Sequence, residues 1–270
     1  MPRCINLRMS EAADRLLAPD DPPPIRVLRP EGRSDFVVTA DHAGRAIPKR
    51  LGMLGLPEDE LARHIAWDIG IAGVTERLSE ALGAAAVLQN YSRLVIDCNR
   101  QPGLDSSIPI ISELTAIPGN EGLSSDEREA RQREIFQPYH ARIEQLLESR
   151  SASGRRTLLI AMHSFTPVFK SVARKVDVGV LYNRDARLPY IMLDLLRHEG
   201  DLNVGDNQPY AVGDLSDYTV PVHGEQRGLP HVEIEIRQDL IADAAGQAAW
   251  AARLARLLSE ADARLRESGI

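Results

Sequence analysis

Two stretches, VVTADHAG (37–44) and TLLIAMHS (157–164), each run through an apolar tract and end on a histidine, His42 and His163. Short apolar runs without clean alternation mark strands covered on both faces, the pattern of a largely parallel sheet with helices on each side. In such sheets ligands bind in the crevice beyond the carboxyl ends of the strands. A third run between the two ends in the polar cluster DCNR (97–100), so three polar strand endings can converge on one site. That pattern argues for an α/β enzyme, and the paired histidines argue for a metal.

Working outward, strands are expected at 36–40, 84–88, 94–96, 157–162, 176–181 and 232–236. Helical signals fall between them. Pro57 followed by Glu58, Asp59 and Glu60 suits a helix start, with acids at the positive end of the dipole, and a second helix is expected over 69–82. Ser124 and Glu127 have capping-box spacing at the head of a charged segment reaching Ser149, which Pro138 should kink or split. Leu254, Leu258, Ala261 and Leu265 share one face of a last surface helix. The segment 200–229 reads as a long loop, and loops of that length in compact domains are usually functional. The expected architecture is a three-layer α/β/α domain with a mixed, mostly parallel sheet. The run DDPPP (20–24) separates an N-terminal arm, 1–24, from a single domain, 25–270.

Composition narrows the function. With 43% apolar residues in a 270-residue chain, one sizeable core is within reach. Lys+Arg 32 against Asp+Glu 39 gives a net charge of −7, which leaves no footprint for nucleic acid or an anionic membrane. Cys4 and Cys98 lie far apart, so no disulfide is expected, which fits a reducing compartment. The N-terminus holds no apolar stretch long enough for a signal peptide, so the expected location is the cytoplasm.

A hydrolytic zinc takes three protein ligands and leaves the fourth position open, so a carboxylate should join His42 and His163. Asp41, Asp68 and Asp97 are the candidates. Asp41 adjoins His42 in an extended segment and should point the opposite way. Asp68, just before an apolar helix, is either a ligand or a helix cap. His42 is followed by Ala43 and Gly44, where the backbone can turn closely around an ion. On HVEIEIRQD (231–239), Glu233, Glu235 and Arg237 share one face; this is an edge strand with a solvated charged face, or a source of catalytic carboxylate. Glu235 is selected as the proton acceptor that metal-assisted hydrolysis needs. Arg100 offers a planar fork for a substrate carboxylate, with the Asn99 amide beside it, and Arg93 is a second cation for that task.

Taken in order, ADHAGRAIP (40–48), AWDIG (66–70), NYSRLVIDCNR (90–100), AMHSFTP (161–167) and EIEIRQDL (233–240) resemble the N-formylglutamate amidohydrolase family, from about Phe36 to Ile241. That family is similar in fold to the zinc carboxypeptidases (phosphorylase/hydrolase-like), whose DxNR, HS and ELRD segments resemble 97–100, 163–164 and 235–237 here. The resemblance implies one zinc ion held by His42, His163 and a carboxylate, Glu235 as general base, and Arg100 gripping a substrate carboxylate. Arg45 stands where the carboxypeptidases have a ligating Glu, so Asp68 of the WDIG segment is the implied third ligand. Asn207, Pro209, Tyr210, His223 and Gly224 echo the family's pocket loops, with Tyr210 and His223 as substrate contacts. The implied reaction is hydrolysis of N-formyl-L-glutamate to formate and L-glutamate, a step of histidine breakdown. A zinc peptidase or deacylase acting on another small N-acyl amino acid or a cell-wall fragment is the alternative, and a non-catalytic carboxylate-binding protein a second one.

Overall fold

The computed structural model of the protein describes residues 15–269. The strands are, in chain order, β1 (Ile25–Leu28), β2 (Phe36–Ala40), β3 (Ala85–Gln89), β4 (Ile111–Ser112), β5 (Thr115–Ala116), β6 (Leu158–Phe165), β7 (Val168–Phe169), β8 (Val172–Ala173), β9 (Val178–Leu181), β10 (Val204–Asp206) and β11 (His231–Arg237). Seven of them form one sheet in the order β1-β3-β2-β6-β11-β9-β10, while β4–β5 and β7–β8 are separate hairpins. Strands β3, β2, β6 and β11 are parallel, and β1 and the β9–β10 pair run against them. The four parallel strands at the centre align their carboxyl ends, which is what brings the polar endings together.

The helices are α1 (Glu58–Leu61), α2 (Ile71–Leu82), α3 (Ser125–Arg131), α4 (Gln137–Ala152), α5 (Arg187–His198) and α6 (Ala244–Glu267). Residues of α2, α5 and α6 bury their apolar faces on one side of the sheet, with Leu254, Leu258, Ala261 and Leu265 in that layer as expected. Tyr139, Ile143, Leu146 and Leu147 of α4 cover the other side. The result is the three-layer α/β/α arrangement. The capping box at Ser124 and Glu127 is formed, with both reciprocal hydrogen bonds present. Pro138 does not break the charged segment: a π-helical turn, Gln132–Phe136, joins α3 to α4 with helical backbone throughout, and the widened turn lies directly before the proline, whose ring and missing N–H an ordinary α-helical turn would not accommodate.

Three expectations change. The run 94–96 is no strand: Leu94, Val95 and Ile96 are buried in a turn. Buried backbone needs partners, and here side chains provide them in place of a neighbouring strand. Asn120 Nδ2 donates to Leu94 O at 2.8 Å and Arg131 Nη1 to Val95 O at 2.9 Å. The expected arm is docked as far as it is described, with Leu16 buried and the Leu16 and Leu17 amides donating to the Glu134 carboxylate at 3.0 and 2.9 Å. Residues 1–14, including Cys4, lie outside the described residues. The segment 200–229 is only partly loop, since it contains β10 and a π-helical turn, Val220–Glu225. Among the described residues no helix is long and apolar enough to cross a membrane.

Candidate active site and metal centre

His42 leaves the end of β2, and His163 stands near the end of the neighbouring β6. Asp68 reaches them from the segment before α2, fixed there by its own amide, which donates to His42 O at 3.0 Å. Asp68 Oδ2 lies 3.0 Å from His163 Nδ1 and 3.5 Å from His42 Nδ1, and one ligand atom from each of the three residues lies within 4.8 Å of the others. The helix-cap alternative for Asp68 does not hold. The N-cap of α2 is Gly70 with no side-chain cap, and the Asp68 carboxylate instead accepts from His163 and from the Ser164 amide. The Gly44 expectation also changes: a Cβ there would meet Asn90 O at 2.0 Å, so glycine serves close packing of two backbone segments and not an ion.

The other two aspartates back the histidines. His42 Nε2 donates to Asp97 Oδ1 at 2.7 Å, which leaves Nδ1 facing Asp68 at 3.5 Å as the nitrogen a metal would take. Asp97 is in turn held by the Asn99 amide at 2.9 Å and by Arg93 Nε and Nη2 at 3.1 and 2.7 Å. His163 Nε2 faces Asp41 Oδ2 at 3.2 Å, and Asp41 Oδ1 accepts from Tyr139 Oη at 2.6 Å and Thr219 Oγ1 at 2.8 Å. Carboxylates behind ligating histidines are the usual way of fixing tautomer and ring orientation. The donor set fits a divalent ion on a further count: His42 Nδ1 is buried and has no hydrogen-bond partner.

Charge in this cluster is strongly coupled. Burial would raise the Asp41 pKa, but the hydrogen bond and charge of His163 outweigh it and hold the group at about 2. Asp68 and Asp97 are likewise kept below the usual carboxylate range despite burial, by the two histidines and by Arg93 with His42 respectively. Burial would lower both histidines, yet the surrounding carboxylates raise His42 and His163 above the ordinary imidazole value. Without metal the pair therefore tends to carry protons that a metal must displace. Metal binding is expected to release protons and to tighten as pH rises, because deprotonation favours the ligating forms. Calorimetry of zinc addition in two buffers of different ionisation enthalpy checks this; an apparent enthalpy independent of buffer would contradict it.

The cluster opens into a cavity of about 660 Å³ whose lining includes His42, Asp68, Arg93, Arg100, His163 and Glu235. Strand β11 is not at the sheet edge but between β6 and β9, so its carboxylates are buried and not solvated. Glu235 is in register with His163 of β6 and Gly179 of β9, and Glu233 with Ala161 and Leu181. The period of two turns Val232, Ile234 and Ile236 into the helical layer and leaves both glutamates on the cavity face. Burial raises Glu235, with His163 opposing and Asp68 adding to it, to about 7. Arg237 is turned elsewhere, bound to Asp177 and Asp239 at 2.8 Å each.

The expected substrate contacts divide. Arg93, Arg100 and Tyr210 line the cavity. Asn99 also lines it, but its amide works inward: Oδ1 accepts from the Tyr218 and Thr219 amides at 2.9 and 3.0 Å and Nδ2 donates to Asp217 at 3.1 Å. It pins the loop that supplies Ser216 and Asp217 to the cavity. His223 is not among the lining residues; it is buried, its Nε2 3.0 Å from His140 Nδ1, and His140 Nε2 donates to Cys98 O at 2.8 Å. Its neighbour Gly224 lies where a Cβ would meet the His231 ring at 2.8 Å, so this segment packs against β11 and does not face a ligand.

Comparison with known proteins agrees with this geometry. The family model for N-formylglutamate amidohydrolase matches residues 34–242. The crystal structure of gene product Atu2144 from Agrobacterium tumefaciens is 38% identical, covers 93% of this chain and 100% of its own, and superimposes with a TM-score of 0.90. The N-formylglutamate amidohydrolase from Ralstonia eutropha JMP134 has the same fold at 19% identity, with a TM-score of 0.68 over 90% of this chain and 99% of its own. No curated protein matches the chain. A family match across most of the chain, on a fold whose strand ends gather His42, Asp68, His163 and Glu235, means that this chain belongs to the N-formylglutamate amidohydrolase family and is a hydrolase acting on amides.

Proposed function

We propose that the chain is a zinc-dependent amidohydrolase that cleaves N-formyl-L-glutamate to formate and L-glutamate, a step of histidine breakdown. The observation that carries the reading is the grouping of His42, Asp68 and His163, with Glu235 in register beside His163. When bound by those three residues, the metal supplies Lewis acidity, acidifying water and polarising a carbonyl oxygen. Glu235 accepts a proton from the attacking water and returns it to the leaving nitrogen, a task suited to a carboxylate poised at about 7. Arg93, fixed by Asp97 with its Nη1 3.6 Å from Asp68 Oδ1, steadies negative charge developing on the carbonyl oxygen. Arg100 grips a substrate carboxylate at the cavity wall. Its Nη1 is anchored by Asn99 O at 2.9 Å and by Ser216 O, so the guanidinium is oriented before substrate arrives. Asn99 then acts as a positioning residue. The test is metal analysis of the purified protein together with formate release from N-formyl-L-glutamate, and acetate release from N-acetyl-L-glutamate. Stoichiometric zinc and formate release that a chelator abolishes are the expected results; metal-replete protein that frees no formate overturns the reading.

A further inference from the structure

Two chains of hydrogen bonds lead outward from the metal centre, and they meet. From His42 the path runs through Asp97, whose Oδ1 also accepts from the Asn99 amide at 2.9 Å. From His163 it runs through Asp41, whose Oδ1 accepts from Thr219 Oγ1 at 2.8 Å. The Thr219 amide in turn donates to Asn99 Oδ1 at 3.0 Å. Thr219 is buried, and among the described residues it alone is bonded both to a carboxylate behind a metal histidine and to the Asn99 side chain. A threonine hydroxyl at the head of a helical turn ordinarily bonds the backbone of its own turn. Thr219 stands immediately before the π-helical turn Val220–Glu225, with φ −61° and ψ −51°, yet makes no such cap and reaches Asp41, just beyond β2, instead. The segment it anchors carries Ser216, whose carbonyl, with that of Asn99, receives Arg100 Nη1. A shift of Thr219 is therefore felt on two sides, by the carboxylate that orients the His163 ring and by the acceptors that orient the Arg100 guanidinium.

Resting on the reading of Arg100 as the group that grips substrate, we propose that Thr219 is a positioning residue that couples the metal centre to that grip, its hydroxyl holding Asp41 behind His163 and its amide holding Asn99 beside Arg100. Tyr139 provides the internal contrast. Its Oη donates to the same Asp41 oxygen at 2.6 Å, but it stands on α4 and, among the described residues, has no hydrogen bond to Asn99 or to residues 213–219. Loss of the Tyr139 hydroxyl disturbs the metal centre alone, whereas loss of the Thr219 hydroxyl disturbs the metal centre and the grip on substrate together.

The experiment compares the wild type with Thr219→Val, Thr219→Ser and Tyr139→Phe. Zinc affinity is read by competition with a chelator, and KM and kcat by formate release from N-formyl-L-glutamate at saturating zinc. Thr219→Val is expected to weaken zinc binding about three- to tenfold and to raise KM by a similar factor, the scale of one lost hydrogen bond, with kcat moved less. Thr219→Ser keeps the hydroxyl and should stay within about twofold of the wild type in both readouts. Tyr139→Phe should weaken zinc comparably while moving KM by less than about twofold, because it touches no residue that holds Arg100. Since Thr219 acts on the substrate through Arg100, Thr219→Val should add little to the KM of an Arg100→Lys protein. Melting temperature shows whether each variant folds, and Thr219→Ala carries the same expectations if the valine protein does not. A Thr219→Val protein that loses zinc affinity without a rise in KM, or the reverse, overturns the coupling. Additive KM losses with Arg100→Lys, or a serine protein as impaired as the valine one, would reveal a merely structural role and overturn it too. Zinc-loaded wild-type protein that frees no formate would instead bring down the amidohydrolase reading and this inference with it, an outcome visible before any variant is compared.

Discussion

His42→Ala and His163→Ala proteins are expected to emerge from purification without bound metal and without amidase activity. A catalytic zinc held by three protein groups loses too much on the removal of one imidazole to remain through gel filtration. Asp97→Ala and Asp41→Ala should do less, on the order of ten- to a hundredfold in metal affinity, because each only orients a ligand. The ranking is the informative part, since it separates the three inner residues from the carboxylates behind them. The metal-free variants carry a second consequence. His163 stands between Asp41 and Asp68 at 3.2 and 3.0 Å, all three buried, so removing the imidazole leaves two buried carboxylates facing each other. Breaking a buried pair by deleting one partner is strongly destabilising, about 3–5 kcal/mol. Melting temperature must therefore be recorded beside metal content, and Asp68→Asn, which removes a charge from the same cluster, serves as the folded comparison. A folded His42→Ala protein that keeps stoichiometric metal would end the assignment of this centre.

The sequence was most legible where a side chain sits on a regular element. Strands β2, β3 and β6 are nearly or wholly buried along their length, and continuous apolar runs announce that, whereas β11 is as deeply buried but alternates Val232, Ile234 and Ile236 with Glu233 and Glu235 and so reads like an edge strand. Edge strands were not announced: β1 is short and half exposed, and β10 is three residues containing Gly205 and Asp206. Leu94 to Ile96 misled for the converse reason, an apolar run whose carbonyls are capped by Asn120 and Arg131 from distant segments. The same division runs through the site. His42, His163 and Glu235 follow from strand endings and a period of two, whereas the outer placement of Asp41 and Asp97 depends on which neighbour each carboxylate meets. Asn99 lines the cavity with its amide turned to the 217–219 loop, and His223 packs against His140 away from it, because a motif fixes a residue's position on the chain but not the side of the loop it faces.

The strand register makes the last prediction sharp. Glu233 and Glu235 are two residues apart on β11, both buried and both on the cavity face. Only Glu235 is in register with His163; Glu233 lies one step back, opposite Ala161 and Leu181. Burial raises the pKa of both, Glu233 well above the ordinary carboxylate value, and both feel the charge of His163, so it is the strand register that separates them. Glu235→Gln is therefore expected to keep metal and substrate binding while lowering kcat by a factor on the order of 10² or more, the usual scale of a lost general base. Glutamine preserves the shape and one hydrogen-bonding oxygen but cannot take the proton. Glu233→Gln should cost less than about tenfold in kcat, since a group outside hydrogen-bond reach of the transferred proton contributes only through the field. Loss of Glu235 should also flatten the acid limb of the kcat/KM profile, because activity that rises as a group near 7 deprotonates has lost that group. Parallel measurement of kcat, bound metal and the pH profile decides between them. An inactive, metal-replete Glu233→Gln protein beside an active Glu235→Gln one would transfer the role of base down the strand, and full activity in both would remove general-base hydrolysis from β11 altogether.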